Sequence, residues 1–208
     1  MSILAELSSS IGERTEDANR AVAEKVRNDL QLLDDIAQGL TSSDVNLVGD
    51  CAEVITMIAE DNPTAVVPYL PHIPNLLKSK KTRVRWESMH TVLFVAREVP
   101  TQIEAWLPLL ADAIEKDKSV IVRDYAVRAI AEYAATGIDA AQKAFPHLIK
   151  AVSAWDGKQA HHALNGLRHV VILDPSFGSQ ACEVAVTYTD HKKAVVRKAA
   201  NALLKVME

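Results

Sequence analysis

The sequence predicts an all-α fold, a right-handed α-α superhelix or solenoid of about five helix pairs, preceded by an N-terminal helical arm. Three observations predict it. The dipeptide Val-Arg stands at Val84-Arg85, at Val122-Arg123 38 residues later, and at Val196-Arg197 a further 74 residues on. Pro71, Pro108 and Pro146 follow one another at intervals of 37 and 38. No stretch alternates apolar and polar residues with period two, so no strand is expected. A period of this length marks helical repeats, in which no unit buries its own apolar face and each is stabilised by its neighbours.

Composition fits such an array. Of 208 residues 49% are apolar, enough for a core, while only 7 are glycine and 5% aromatic, so Ala, Val, Leu and Ile must build the interior. A net charge of -4, from 27 acidic against 23 basic side chains, lacks the basic excess that usually announces a nucleic-acid-binding chain. Cys51 and Cys182 stand far apart and in no metal-ligand spacing, so they read as small core residues in a reducing compartment. The start, Met1-Ser2-Ile3-Leu4-Ala5-Glu6, lacks the segments of a signal peptide, and no run reaches the roughly 18 apolar residues of a membrane helix. A cytoplasmic protein is expected.

Residues 1–24 do not follow the repeat. Ser8-Ser9-Ser10 and Gly12 interrupt a short amphipathic start, and Thr15 is placed to cap a helix through Ala18, Ala21 and Val22. This segment is expected to be an arm or cap over the first repeat. The array, 25–208, divides at about 25–62, 63–99, 100–136, 137–174 and 175–208. In the first helices a proline slot holds Asp34, Pro71, Pro108, Pro146 and Cys182. Two residues on stand Ile36, Ile73, Leu110, Leu148 and Val184, and six on stand Leu40, Leu77, Ile114, Val152 and Tyr188. Spacing of four puts both rows on one buried face, and the prolines should kink the middle helices.

The second helices register on an arginine slot holding Gly49, Arg85, Arg123, His161 and Arg197. Before it stand Val48, Val84, Val122, Ala160 and Val196; three after it, Ala52, Ser88, Ala126, Leu164 and Ala200; ten after it, Ala59, Val95, Tyr133, Val171 and Met207. Between pairs lie Asp61-Asn62-Pro63, Val99-Pro100, Thr136-Gly137 and Asp174-Pro175, each a helix stop followed by a helix start.

A first helix with an internal proline before Leu-Leu, then a turn with aspartate, then Val-Arg, resembles the HEAT repeat. The resemblance covers residues 25–208, best at Pro71–Glu98 and Pro108–Tyr133. It implies a curved scaffold with a concave face made by the second helices, in a family that mostly binds proteins. It also implies that Asp117 is a turn aspartate of the kind whose carboxylate meets arginines in a ladder along the stack, a structural ladder to which Arg85, Arg123 and Arg197 would belong. Lys80 departs from that pattern, and Asp156 and Asp190 are shifted by one. Arg123 is expected to be buried at a repeat junction against an acidic or carbonyl group.

Positions one, five and eight beyond the arginine slot oppose the buried row and are expected to line the concavity. They place Trp86 beside His90, Asp124 beside Arg128, and His162 beside His169 as candidate partner-binding residues, with Asp50, Val54, Met57, Leu93, Ala131, Gly166, Lys198, Ala202 and Lys205 in the same row. Exposed Trp and Arg are the side chains that most often anchor partners. No metal is expected, because His161 and His162 point apart and His162 and His169 lie two turns apart. With no phosphate loop and no nucleophile elbow, no cofactor and no catalytic residue are expected either. The expected function is non-enzymatic binding of a protein or peptide in the concave groove.

The alternative is a DNA-alkylation-repair glycosylase or DNA binder on a HEAT-like superhelix. Trp86, Asp124 and Arg128 are residue types that family uses, and Lys78, Lys80, Lys81, Arg83 and Arg85 form a basic run, but Asp50, Glu87, Asp124 and Glu132 would repel phosphate. At the C-terminal end Ala194, Val195, Ala199, Ala202 and Val206 form a strip expected to meet another copy or further repeats.

Overall fold

Helices form where the slots place them. The computed structural model describes residues 2–206 and within them shows twelve α-helices, three 3-10 helices and no strand. Two compact units divide the chain, Met1–Glu98 and Val99–Glu208.

The first unit begins with a 3-10 turn, Ile3–Glu6, and the short helix α1, Ser8–Ile11, followed by α2, Asp17–Asn28. Asn19, Val22, Ala23 and Val26, spaced as one helical stripe, are the buried residues of α2. They pack on α4 (Val45–Asp61), as α4 in turn packs on α6 (Thr82–Val95). Two expectations change here. The α2 helix runs past residue 24, because the stripe continues through Val26. Thr15 is not its cap: Glu16 holds the N-cap position, and the Thr15 carbonyl accepts a hydrogen bond from the Ser8 hydroxyl at 2.8 Å.

Pair one consists of α3 (Leu32–Gly39) and α4, where the Asp44 carboxylate caps α4 by accepting from the Asn46 N–H at 2.9 Å. In pair two the first element is a 3-10 helix, Pro63–His72, running into a single α-turn, α5, Ile73–Leu76. The kink expected at Pro71 is thus a change of helix type. Pro63, Pro68, Pro71 and Pro74 remove four N–H donors from twelve residues, too many for a continuous α-ladder.

The second unit holds α7 (Pro100–Lys116) with α8 (Val120–Ala134), α9 (Ile138–Gly157) with α10 (Ala160–Leu173), and α11 (Gly178–Val186) with α12 (Ala194–Leu204). A lone proline is tolerated in α7 and in α9, and Pro71, Pro108 and Pro146 are all exposed. The buried rows follow the register. Ile36, Ile73, Leu110 and Leu148 are buried, as are Val48, Val84, Val122, Ala160 and Val196. In the fifth pair Val184 and Tyr188 are only half-buried. Met207, assigned to the last row, lies outside the described residues.

Removing Leu110, which is fully buried, would cost about 3 kcal/mol as Leu110→Ala, in lost transfer energy and a residual cavity. No helix among the described residues is long and apolar enough to cross a membrane.

Candidate functional site

Three of the slot arginines each bond a carbonyl of the turn in their own pair. Arg85 donates from Nη1 to the carbonyl of Ser79 at 2.8 Å, Arg123 to that of Asp117 at 2.5 Å, and Arg197 to that of His191 at 2.7 Å. Each reaches back six residues to the turn before its own helix and gives a carbonyl of that turn a donor. Arg123 is 1% exposed, as its place beside the buried valine row led us to expect. Burial pushes its guanidinium below the ordinary arginine range, against the pull of Asp117 and Asp124. The Asp117 carboxylate itself accepts the Ser119 N–H at 2.8 Å, an Asx turn that leads into α8, where the Ser119 hydroxyl is the N-cap.

Pair four lacks the arginine and closes its turn differently. Trp155, Asp156 and Gly157 all have positive φ, at 50°, 57° and 70°. The Trp155 indole donates from Nε1 to the carbonyl of Ile114 at 2.8 Å and lies over the Arg123 guanidinium, 4.0 Å from ring centroid to Cζ.

In the first unit, the position just beyond the slot in pair one is Asp50. It is 1% exposed rather than open, because the N-terminal segment lies on it. Its carboxylate accepts the main-chain N–H of Ser9 at 2.7 Å and the Asn19 amide at 3.0 Å, and pairs with Arg83 at 2.8 Å. Glu53, one turn on, pairs with Arg83 at 2.7 Å and accepts from Asn19 at 2.6 Å. Burial acts to raise the Asp50 carboxyl, but the hydrogen bonds from Ser9, Asn19 and Arg83 outweigh it and hold it below the usual carboxylate range. The Arg83 guanidinium lies over Gly49, whose absent side chain leaves that space.

A cleft of about 510 Å³ opens over this network, walled by Ser8, Ser9, the 12–16 loop, Asp50, Glu53, Arg83 and Trp86. Trp86, half-buried, donates from Nε1 to Glu87 at 2.5 Å, and burial raises the Glu87 carboxyl above its ordinary range. His90, one turn beyond Trp86, is half-buried with its ring 4.4 Å from that of Phe94.

In the second unit Asp124 is half-buried and Arg128 exposed, its guanidinium 5.8 Å from the Tyr125 ring. His162 stacks on His161 at 3.8 Å; burial first, then the charges of His161 and Arg128, lower it to about 4. His169 is half-buried. Other members of the row are closed off: Val54, Leu93, Ala131 and Gly166 are buried. Their small or apolar side chains lie where neighbouring second helices pack, as Gly166 does against Ala131, so a row chosen by helical angle alone overstates what is open.

Sequence reasoning missed Asn19, Glu53 and Ser9. Asn19 carries a usable signal, a polar residue on the apolar stripe of α2, which must find partners when buried. Ser9 acts through its main chain, which no side-chain pattern reveals.

No family model matches the chain, and no curated protein matches it. Solved structures do. A designed armadillo repeat protein in complex with the peptide (KR)4 is 19% identical, with a TM-score of 0.79 over 99% of this chain and 98% of that one. An engineered protein is 18% identical, with a TM-score of 0.77 over 100% and 99%. A computationally designed armadillo repeat protein for modular peptide recognition is 17% identical, with a TM-score of 0.76 over 98% and 97%. At these identities the likeness shows the fold: the chain is an all-α solenoid of helical repeats, similar in architecture to designed armadillo proteins.

Proposed function

We propose that this protein is a non-enzymatic scaffold of HEAT-like repeats that binds a protein or peptide through the exposed members of the row beyond the arginine slot. The observation that carries the reading is the cleft of the first unit. It is large enough for several side chains, and it sets Trp86 beside the charged groups of Arg83, Asp50 and Glu53. An aromatic wall beside fixed charges suits recognition of peptide side chains better than closure over a small substrate. In the second unit Asp124, Arg128, His162 and His169 are the residues assigned to the same task. Two structural neighbours, one solved with (KR)4 and one designed for peptide recognition, support a peptide partner. The HEAT-like assignment within the solenoid class rests on the Val-Arg recurrence and on the reach of Arg85, Arg123 and Arg197 to their own turns.

A cytoplasmic location is part of the same reading and is supported by the free thiols Cys51 and Cys182, burial having pushed the Cys51 thiol up to about 12 and made it unreactive. Self-association through α12 is part of the same proposal, on the strength of Val195, 48% exposed.

The experiment is a pull-down with wild type and Trp86→Ala, repeated across salt concentrations. A retained protein partner, lost on Trp86→Ala and little changed by salt, is the expected result. Capture of DNA that falls steeply with salt would replace this reading with nucleic-acid binding.

A further inference from the structure

The first unit contains a peptide segment already seated on the row. Ser9 lies in the first turn of α1, where a main-chain N–H has no partner inside the helix. That N–H is received by the Asp50 carboxylate at 2.7 Å. The neighbouring Ser8 N–H goes to Asn19 at 2.9 Å, so the segment is held through its main chain rather than through large side chains. Asp50 stands one residue beyond the arginine slot.

In the second unit the same register position is Asp124, on α8. It is half-buried beside the charges of Arg123 and His161, and among the described residues no main-chain N–H is bonded to its carboxylate. A half-buried carboxylate that water still reaches keeps acceptor capacity that an arriving N–H can take over. Asp50 shows what this position of the repeat accepts when a peptide crosses it.

We propose that Asp124 is a receptor for a main-chain N–H of the bound peptide, used as Asp50 uses the N–H of Ser9. This deepens the peptide-binding reading and rests on it. Because every residue except proline carries a main-chain N–H, such a contact adds affinity that unrelated peptides share. Trp86, by contrast, selects among side chains.

The test uses the full chain and a displayed library of random peptides, followed by scanning each selected peptide with single N-methyl groups, which delete one main-chain donor at a time. Asp124→Ala is expected to weaken unrelated peptides alike, by about tenfold or more for a charge-assisted bond. Asp124→Asn, which keeps an acceptor oxygen, should retain part of that affinity. In each peptide one N-methyl position should cost wild type a similar factor and cost Asp124→Ala nothing further. An unchanged urea midpoint separates this loss from misfolding. If Asp124→Ala binds as wild type, or if the N-methyl penalty persists undiminished in it, the proposal is overturned while peptide binding stands. If wild type retains no peptide, both fall.

Discussion

The turns of pairs three and four do the same job with different chemistry. In pair three Arg123 reaches back to the Asp117 carbonyl and is buried in doing so. In pair four the slot holds His161, and the chain instead turns through three left-handed residues, with Trp155 bonded to the Ile114 carbonyl. The first solution spends a buried cation and keeps the backbone ordinary. The second keeps the charge out and accepts strain, since Trp155 and Asp156 occupy a region that costs L-residues about 1 to 2 kcal/mol each. The two are linked, because the Trp155 ring lies over Arg123. A repeat can therefore lose its arginine when its own turn supplies another means of closing.

The most severe way to break this comparison is Arg123→Ala. It leaves the part-buried Asp117 carbonyl without its donor and a void beneath Trp155, and should lower unfolding free energy by about 3 kcal/mol. Urea titration measures it; a loss below 1 kcal/mol would mean that the slot is ornamental.

Acid should then tell the pairs apart. The His162 value, about 4, lies below that of an unfolded histidine, so the folded state favours the neutral ring. Its contribution is complete above pH 6.5, the ordinary value, and is lost as pH falls from there through about 4. Allowing for partial exposure, the loss is on the order of 2 kcal/mol. His162→Gln should flatten the dependence of the urea midpoint over that window, and an equally steep profile in the variant would remove His162 as its source. Asp50 acts at lower pH. With its folded value depressed, its contribution is present above the unfolded carboxyl value and is lost as pH falls through the folded one.

Gly157, at φ 70°, should not tolerate a side chain: Gly157→Ala is expected to cost about 1 kcal/mol, and Asp156→Gly to gain a similar amount by relieving φ 57°. Calorimetric midpoints moving in the same direction for both variants would refute a strained turn. Smallest of all, Arg85→Ala should cost no more than about 1 kcal/mol, because Arg85 makes the same reach from a half-exposed position. A loss matching that of Arg123→Ala would show that burial does not set the slot's value.

Much of this was legible beforehand. The valine row and the apolar rows at plus two and plus six name buried residues in the first four pairs, because burial on a helix follows from spacing alone. The candidate row was less legible. Spacing put Asp50 and Trp86 in equivalent places, yet one is covered by the N-terminal segment and the other walls a cleft. Nothing in the repeat encodes that cover, since it comes from residues outside the period. The left-handed turn was hidden for a different reason: of its three residues only Gly157 advertises positive φ, and Trp155 is held there by a carbonyl 41 residues earlier.

By itself the sequence determined the class of fold, the pairing of helices and the rows that face inward. Those depend on local period and on side-chain polarity, both of which are written in the chain. The tertiary structure decided that Arg85, Arg123 and Arg197 each reach a carbonyl of their own turn, that the N-terminal segment covers Asp50 while Asp124 stays half-buried, and that prolines convert one first helix to 3-10 geometry without interrupting the others. Each depends on which group arrives opposite which acceptor, a matter of distance in space that a repeat period leaves open.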